Sequence, residues 1–246
     1  MERKITITGH RGASGRAPEN TLESIKAAWE DGADAVEIDV QETADGQLVL
    51  LHDDDFDRTT DGSGNLWELE YGEIAEFDAG SWFASEYSGA GVPLLSSVLD
   101  NYKSRLGFNI ELKVNGHQKK LWQKTMALLE EKEMLSNCII TSSDYAMIDS
   151  VKSAYPDQRV GYIIEEIPER GFPFTAEIDL FSVDYSLISR EFVTKAEKFG
   201  KEVHAWTVNS PFELELLIAA GVKNIITDFP GRMRKFLLAK INRNNR

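Results

Sequence analysis

Short β-branched runs alternate with stretches of helical spacing about eight times along these 246 residues. Strands are read at Ile5–Gly9, Ala35–Val40, Phe108–Leu112, Cys138–Thr141, Val160–Ile164, Leu180–Val183, Glu202–Val208 and Asn224–Thr227. Between them lie helical stretches, among them Asn20–Trp29, Ser96–Tyr102, Gln118–Glu131, Tyr145–Ala154, Glu191–Phe199, Phe212–Ala220 and Met233–Leu238. Strands separated by helices pair in parallel, which favours a closed (β/α)₈ barrel over an open sheet. The length suits one such barrel or two small domains. In the first helix Leu22, Ile25, Ala28 and Trp29 form an apolar stripe, with Asn20 or Thr21 as N-cap and Gly32 as the stop. Asp45-Gly46 reads as a type I′ turn leading into a returning strand, Leu48–Leu51.

The alternation breaks from Asp53 to about Pro93, a stretch rich in Asp, Gly and Ser with only a short helix near Glu70–Phe77. It is too long for an ordinary connection, and Trp67, Phe77, Trp82, Phe83 and Tyr87 argue against disorder. We read it as an insertion covering the rim of the barrel.

Charge excludes some partners. Lys+Arg 27 against Asp+Glu 41 leaves a net −14, which disfavours nonspecific nucleic-acid binding and stable association with anionic bilayers. An anionic substrate therefore needs a locally positive site. The single Cys138 precludes an internal disulfide and a cysteine zinc cluster, and its apolar surroundings suit a core residue. No apolar signal core follows Met1-Glu2-Arg3-Lys4 and no later stretch is long and apolar enough to span a membrane, so a cytoplasmic protein is expected. The basic residues from Arg232 to Arg246 read as a solvated helix end.

In Glu37-Ile38-Asp39 the two carboxylates share one strand face. On that strand alone this is either a cation site or a polar face. The other strand ends decide. The first ends in Gly9-His10-Arg11-Gly12, the hairpin returns to His52-Asp53, and Glu111-Leu112-Lys113 closes the strand after the insertion. If the strands are in register, two His, three carboxylates, one Arg and one Lys converge on one rim, where such barrels place their active sites. Glu37, Asp39 and Glu111 supply hard oxygen ligands for one divalent cation, Mg²⁺ or Ca²⁺. His10 and His52 titrate near neutrality and can serve as an acid–base pair. Arg11 offers a donor fork for phosphate and Lys113 a point charge. With no P-loop and no dinucleotide fingerprint, this points to transfer at phosphorus of an anionic small molecule. His117 and His204 read as structural or surface residues. Trp206 reads equally as core filling or as a wall for substrate.

His10-Arg11-Gly12, Pro18-Glu19-Asn20-Thr21, Glu37-Ile38-Asp39, His52-Asp53, Arg58-Thr59-Thr60, Glu111-Leu112-Lys113, Trp206-Thr207-Val208-Asn209 and Thr227-Asp228-Phe229-Pro230 together resemble the glycerophosphodiester phosphodiesterase family. The resemblance runs from Ile5 to Pro230 and implies a single TIM-barrel catalytic domain, 1–246, with 53–93 as an insertion after the second strand. It implies hydrolysis of deacylated phospholipids, such as glycerophosphocholine or glycerophosphoethanolamine, to sn-glycerol 3-phosphate and an alcohol. It matches His10 and His52 to the catalytic pair, Glu37, Asp39 and Glu111 to the metal ligands, and Arg11 and Lys113 to the phosphate. Trp206 and the aromatics of the insertion would line the site. Ser142-Ser143, where the family often has Ser-Phe, and the loop Glu165–Phe174 depart from the pattern and bear on substrate fit. The rival readings are a lysophospholipase D or cyclising phospholipid phosphodiesterase on the same barrel, and a non-catalytic phosphodiester binder.

Overall fold

The computed structural model describes residues 5–169 and 171–244. Met1–Lys4 and Arg246, on which the expectations for the two termini partly rested, lie outside the described residues. The first strand, β1 (Thr6–His10), leads to α1 (Leu22–Glu30), whose N-cap is Thr21: its hydroxyl accepts from the Ser24 amide at 3.2 Å. Ile25 and Ala28 of α1 are fully buried, whereas Trp29 is 40% exposed and lies under the guanidinium of Arg105 at 4.6 Å. The expected apolar stripe is thus narrower than its sequence suggested.

β2 (Ala35–Glu42) and β3 (Leu48–Leu50) form the anticipated hairpin, but the turn differs. Type I′ requires positive φ at both central residues, and here only Gly46 takes it, at φ 81°. The Gly46 amide instead donates to the Thr43 carbonyl at 2.9 Å and the connection runs from residue 43 to 47. There follow the short α2 (Tyr71–Ile74), α3 (Leu95–Tyr102), β4 (Gly107–Leu112), α4 (Leu121–Glu131), β5 (Cys138–Ser142), α5 (Tyr145–Ala154) and β6 (Val160–Ile164). The chain closes with β7 (Leu180–Asp184), α6 (Arg190–Lys198), β8 (Glu202–Trp206), α7 (Pro211–Ala220), β9 (Asn224–Thr227) and α8 (Pro230–Asn244). Gly221 ends α7 in the left-handed region at φ 108°, a conformation a β-carbon would strain.

The nine strands form one sheet in the order β1-β9-β8-β7-β6-β5-β4-β2-β3, and β1 also pairs with β2. Among the described residues, that last pairing closes eight parallel strands into a barrel, and β3 alone is antiparallel. The lower half of β2 meets β1 while its upper half, Val40–Glu42, meets β3. A single edge thus serves two partners, and the chain returns toward the barrel rim as it leaves β3.

The main core lies between strands and helices, with Ile7, Val36, Ile38, Ile110, Ile140 and Phe181 buried. Each such side chain contributes about 1.5–3 kcal/mol through burial. A smaller cluster of Val49, Leu51, Phe56, Leu66, Ile74, Ala79 and Val92 sits within the 53–93 stretch and the strand before it. That cluster takes up part of the aromatic content, with Phe77 packed edge-on against Phe56; apart from it, Trp67 stacks on His117 at 4.0 Å. Arg234 of α8 pairs with Asp34 and donates to the Gly32 carbonyl, tying the basic helix back to the start of β2. Among the described residues, no helix is long and apolar enough to cross a membrane.

Candidate active site

Strand register brings the candidate residues level. His10 lies opposite Glu37 on neighbouring strands, and Asp39 lies opposite Glu111. Alternation then turns Glu37, Asp39 and Glu111 to the barrel interior, where one carboxylate oxygen from each falls within 4.8 Å of the others. The hairpin carries His52 over this cluster. Gln41, buried on β2, donates to the carbonyls of Leu51 at 2.9 Å and Asp53 at 2.7 Å and so fixes the returning segment.

The result is a mouth at the carboxyl ends of the strands. His10, Arg11, Glu37, His52, Glu111, Lys113 and Trp206 line it, and Asp39 lies buried beside them. None of Trp67, Phe77, Trp82, Phe83 and Tyr87 lines this mouth, contrary to expectation. Phe77 and Trp67 are engaged in the contacts above, Trp82 and Phe83 pack edge to face, and the Tyr87 hydroxyl donates to the Arg16 carbonyl. His204 sits at the opposite end of the barrel, where its Nε2 lies 3.4 Å from Glu202, in keeping with a structural role.

Each carboxylate has a distinct environment. Glu37 accepts the Arg11 amide on Oε2 at 3.0 Å, while Oε1 is buried and has no hydrogen-bond partner. Burial, aided by the charges of Asp39 and Glu111, pushes its pKa up to about 8. Asp39 is held below the usual carboxylate range: Arg11 and Lys113 outweigh its burial, and Asn20 donates to Oδ2 at 2.8 Å. Asn20 also accepts the Asp39 amide, so it clamps this strand and leaves the helix cap to Thr21. Glu111 is raised by burial and by Asp39, against the pull of Lys113, whose Nζ is 2.9 Å away. Arg11, in the left-handed region at φ 49°, donates to Glu19 at 2.8 Å, and its Nε lies 3.4 Å from Asp39.

Both histidines are oriented through Nδ1, by acids that pattern reading had not assigned. His10 Nδ1 lies 2.7 Å from Asp228, whose carboxylate also accepts from Ser14 at 2.8 Å and from Asn209. His52 Nδ1 lies 2.6 Å from Asp53. Asp53 is in turn clasped by Arg58, which forks onto Glu19 at 2.8 and 2.9 Å. Arg58 draws the Asp53 pKa down to about 2. The two rings therefore differ. Burial disfavours the charged form of both; Asp228 and Glu37 reverse this for His10, whose pKa rises, while Arg11 and Lys113 help keep that of His52 low. With Nδ1 engaged, each ring has Nε2 left for chemistry, and His10 Nε2 stands 4.0 Å from Glu37.

Comparison with known proteins agrees with this fold. Residues 10–232 match the model of the glycerophosphoryl diester phosphodiesterase family. The chain is 33% identical over 235 residues to the glycerophosphodiester phosphodiesterase of Caldanaerobacter subterraneus, covering 92% of this chain and 95% of that one. A Bacillus subtilis glycerophosphodiester phosphodiesterase is 30% identical, with 94% and 86% covered. The solved structure of an Oleispira antarctica phosphodiesterase, in complex with the product sn-glycerol-3-phosphate, superposes with a TM-score of 0.87 at 29% identity, covering 94% of this chain and 96% of that one. A closed parallel barrel, a rim that gathers acids, cations and two histidines, and a family match over nearly the whole length agree: this chain belongs to the glycerophosphoryl diester phosphodiesterase family and is an enzyme of that kind.

Proposed function

We propose that this enzyme hydrolyses glycerophosphodiesters, such as glycerophosphocholine and glycerophosphoethanolamine, to sn-glycerol 3-phosphate and the free alcohol. The carrying observation is the unpartnered, buried Oε1 of Glu37 within a trio of carboxylates. Two buried acids and a half-buried third beside one another, with one oxygen of Glu37 lacking any donor, fit a hard divalent cation of the Mg²⁺ or Ca²⁺ kind. Such an ion supplies compensation for charge developing on the phosphoryl oxygens.

The chain's own residues do the rest. Arg11 and Lys113 draw the phosphodiester into the mouth and hold it by its oxygens. His10 and His52 divide the proton transfers: one accepts at Nε2 a proton from the water that bonds to phosphorus, while the other delivers a proton to the alkoxide as its bond to phosphorus breaks. Asp228 and Asp53 keep both rings in the tautomer that turns Nε2 inward. The insertion, through Arg58, braces the His52 side, and we propose that it belongs functionally to a single domain spanning the chain.

The test is direct. Purified enzyme incubated with glycerophosphocholine or glycerophosphoethanolamine should release equal amounts of glycerol 3-phosphate and alcohol. Formation of a cyclic phosphate instead, or no turnover of either compound, would contradict the proposal.

A further inference from the structure

The charges around the mouth are unevenly divided. The cations and histidines that line it come from the first four strands and the segments that follow them: His10, Arg11, His52 and Lys113. Among the described residues, the facing arc, built by β5 to β9, contributes no Lys, Arg or His to the lining. Its polar and aromatic extremes are Glu165, directly after β6, and Trp206 at the end of β8. Strand order places β6 across the barrel from β1, so Glu165 stands opposite the Arg11 side. Glu165 is exposed and makes no ion pair among the described residues, unlike Glu37, Asp39, Glu111 and Asp228, each of which meets a cation or a histidine.

A carboxylate without a counter-ion among the described residues, lining the same mouth as an indole and across the barrel from the phosphate-holding cations, is an environment for positive charge. Carboxylate attraction and the negative face of an indole both favour an ammonium group, and both disfavour an anion. We propose that Glu165 and Trp206 form a subsite for the alcohol half of the substrate that selects cationic head groups over neutral ones. The inference rests on the function proposed above and deepens it, since the phosphate must be held on the Arg11 side for the head group to reach this arc.

The experiment compares kcat/KM for glycerophosphocholine, glycerophosphoethanolamine and the neutral glycerophosphoglycerol, in the full chain and in Glu165→Gln and Glu165→Lys. Wild type should favour the two cationic substrates. Glu165→Gln should lower the cationic-to-neutral ratio by about three- to tenfold, the scale of a partly solvated charge contact with an aromatic neighbour. Glu165→Lys should lower the ratio further. An unchanged ratio in both variants overturns the subsite, even if all three rates fall together, because Glu165 would then serve the glycerol half common to all substrates. If wild type turns over none of the three, the functional reading fails and the subsite falls with it; turnover without charge selectivity refutes the subsite alone.

Discussion

Replacing Glu37 by Gln should stabilise the metal-free protein at alkaline pH. The residue is 5% exposed, and its pKa rises from 4.5 to about 8 on folding. The folded chain therefore holds this proton more tightly than the unfolded one. The sign follows: the contribution is intact below pH 4.5 and is lost as pH climbs through about 8. By pH 7 the loss from this one group is on the order of 3 kcal/mol. Gln keeps the shape and an acceptor for the Arg11 amide without the titration. In chelator the variant and wild type should melt together near pH 5, and the variant should melt about 6–12 °C higher between pH 7 and 8, using the usual scaling for a chain of this size. Adding Mg²⁺ or Ca²⁺ should raise wild type steeply and the variant little. Differential scanning calorimetry across pH, with and without the ion, reads all three outcomes. A Tm difference that is the same at pH 5 and pH 8, or a variant that responds to the ion as wild type does, would refute the reasoning.

Other expectations follow from the same geometry. His10→Ala and His52→Ala should each lower kcat by about 10²–10⁴ with the fold intact by circular dichroism, and a loss under tenfold in both would remove them from the proton transfers. Asp228→Asn should lower kcat by about 10- to 100-fold with little change in KM, because it removes the acceptor that fixes His10 without touching the phosphate site; a KM effect alone would contradict this. Cys138 is buried and its thiol is pushed up to about 12, so it should resist a disulfide reagent in the folded enzyme and react once per chain in denaturant.

Much of this architecture was legible because it depends on periods. The alternation of β-branched runs with helical spacing located the strands and helices, and side-chain alternation put Glu37 with Asp39 and Glu111 with Lys113 on shared faces. Register then brings those faces together in the structure, with His10 opposite Glu37 and Asp39 opposite Glu111. What pattern could not reach is partner choice. Asp228 reaches His10 across 218 residues of sequence, and nothing in Thr227-Asp228 distinguishes that acid from one that caps a helix. Asn20 is as good an N-cap by type as Thr21; only its positive φ and the position of Asp39 turn it into a clamp. The turn at Asp45-Gly46 shows the same limit, since its type is set by how many residues the flanking pairs leave unpaired. The aromatics of the insertion have the residue types of substrate walls, but Phe77 packs with the insertion's own small core.

Glu37, Asp39 and Glu111 are proposed to hold one divalent cation without which the phosphodiester is not cleaved. Titrating Mg²⁺ or Ca²⁺ into chelator-stripped enzyme, while following heat of binding and glycerol 3-phosphate release together, tests it most directly. No release is expected before addition, and recovery should follow the filling of a single site per chain. Full release from the stripped enzyme, or an unchanged binding isotherm in Glu37→Gln, would contradict it.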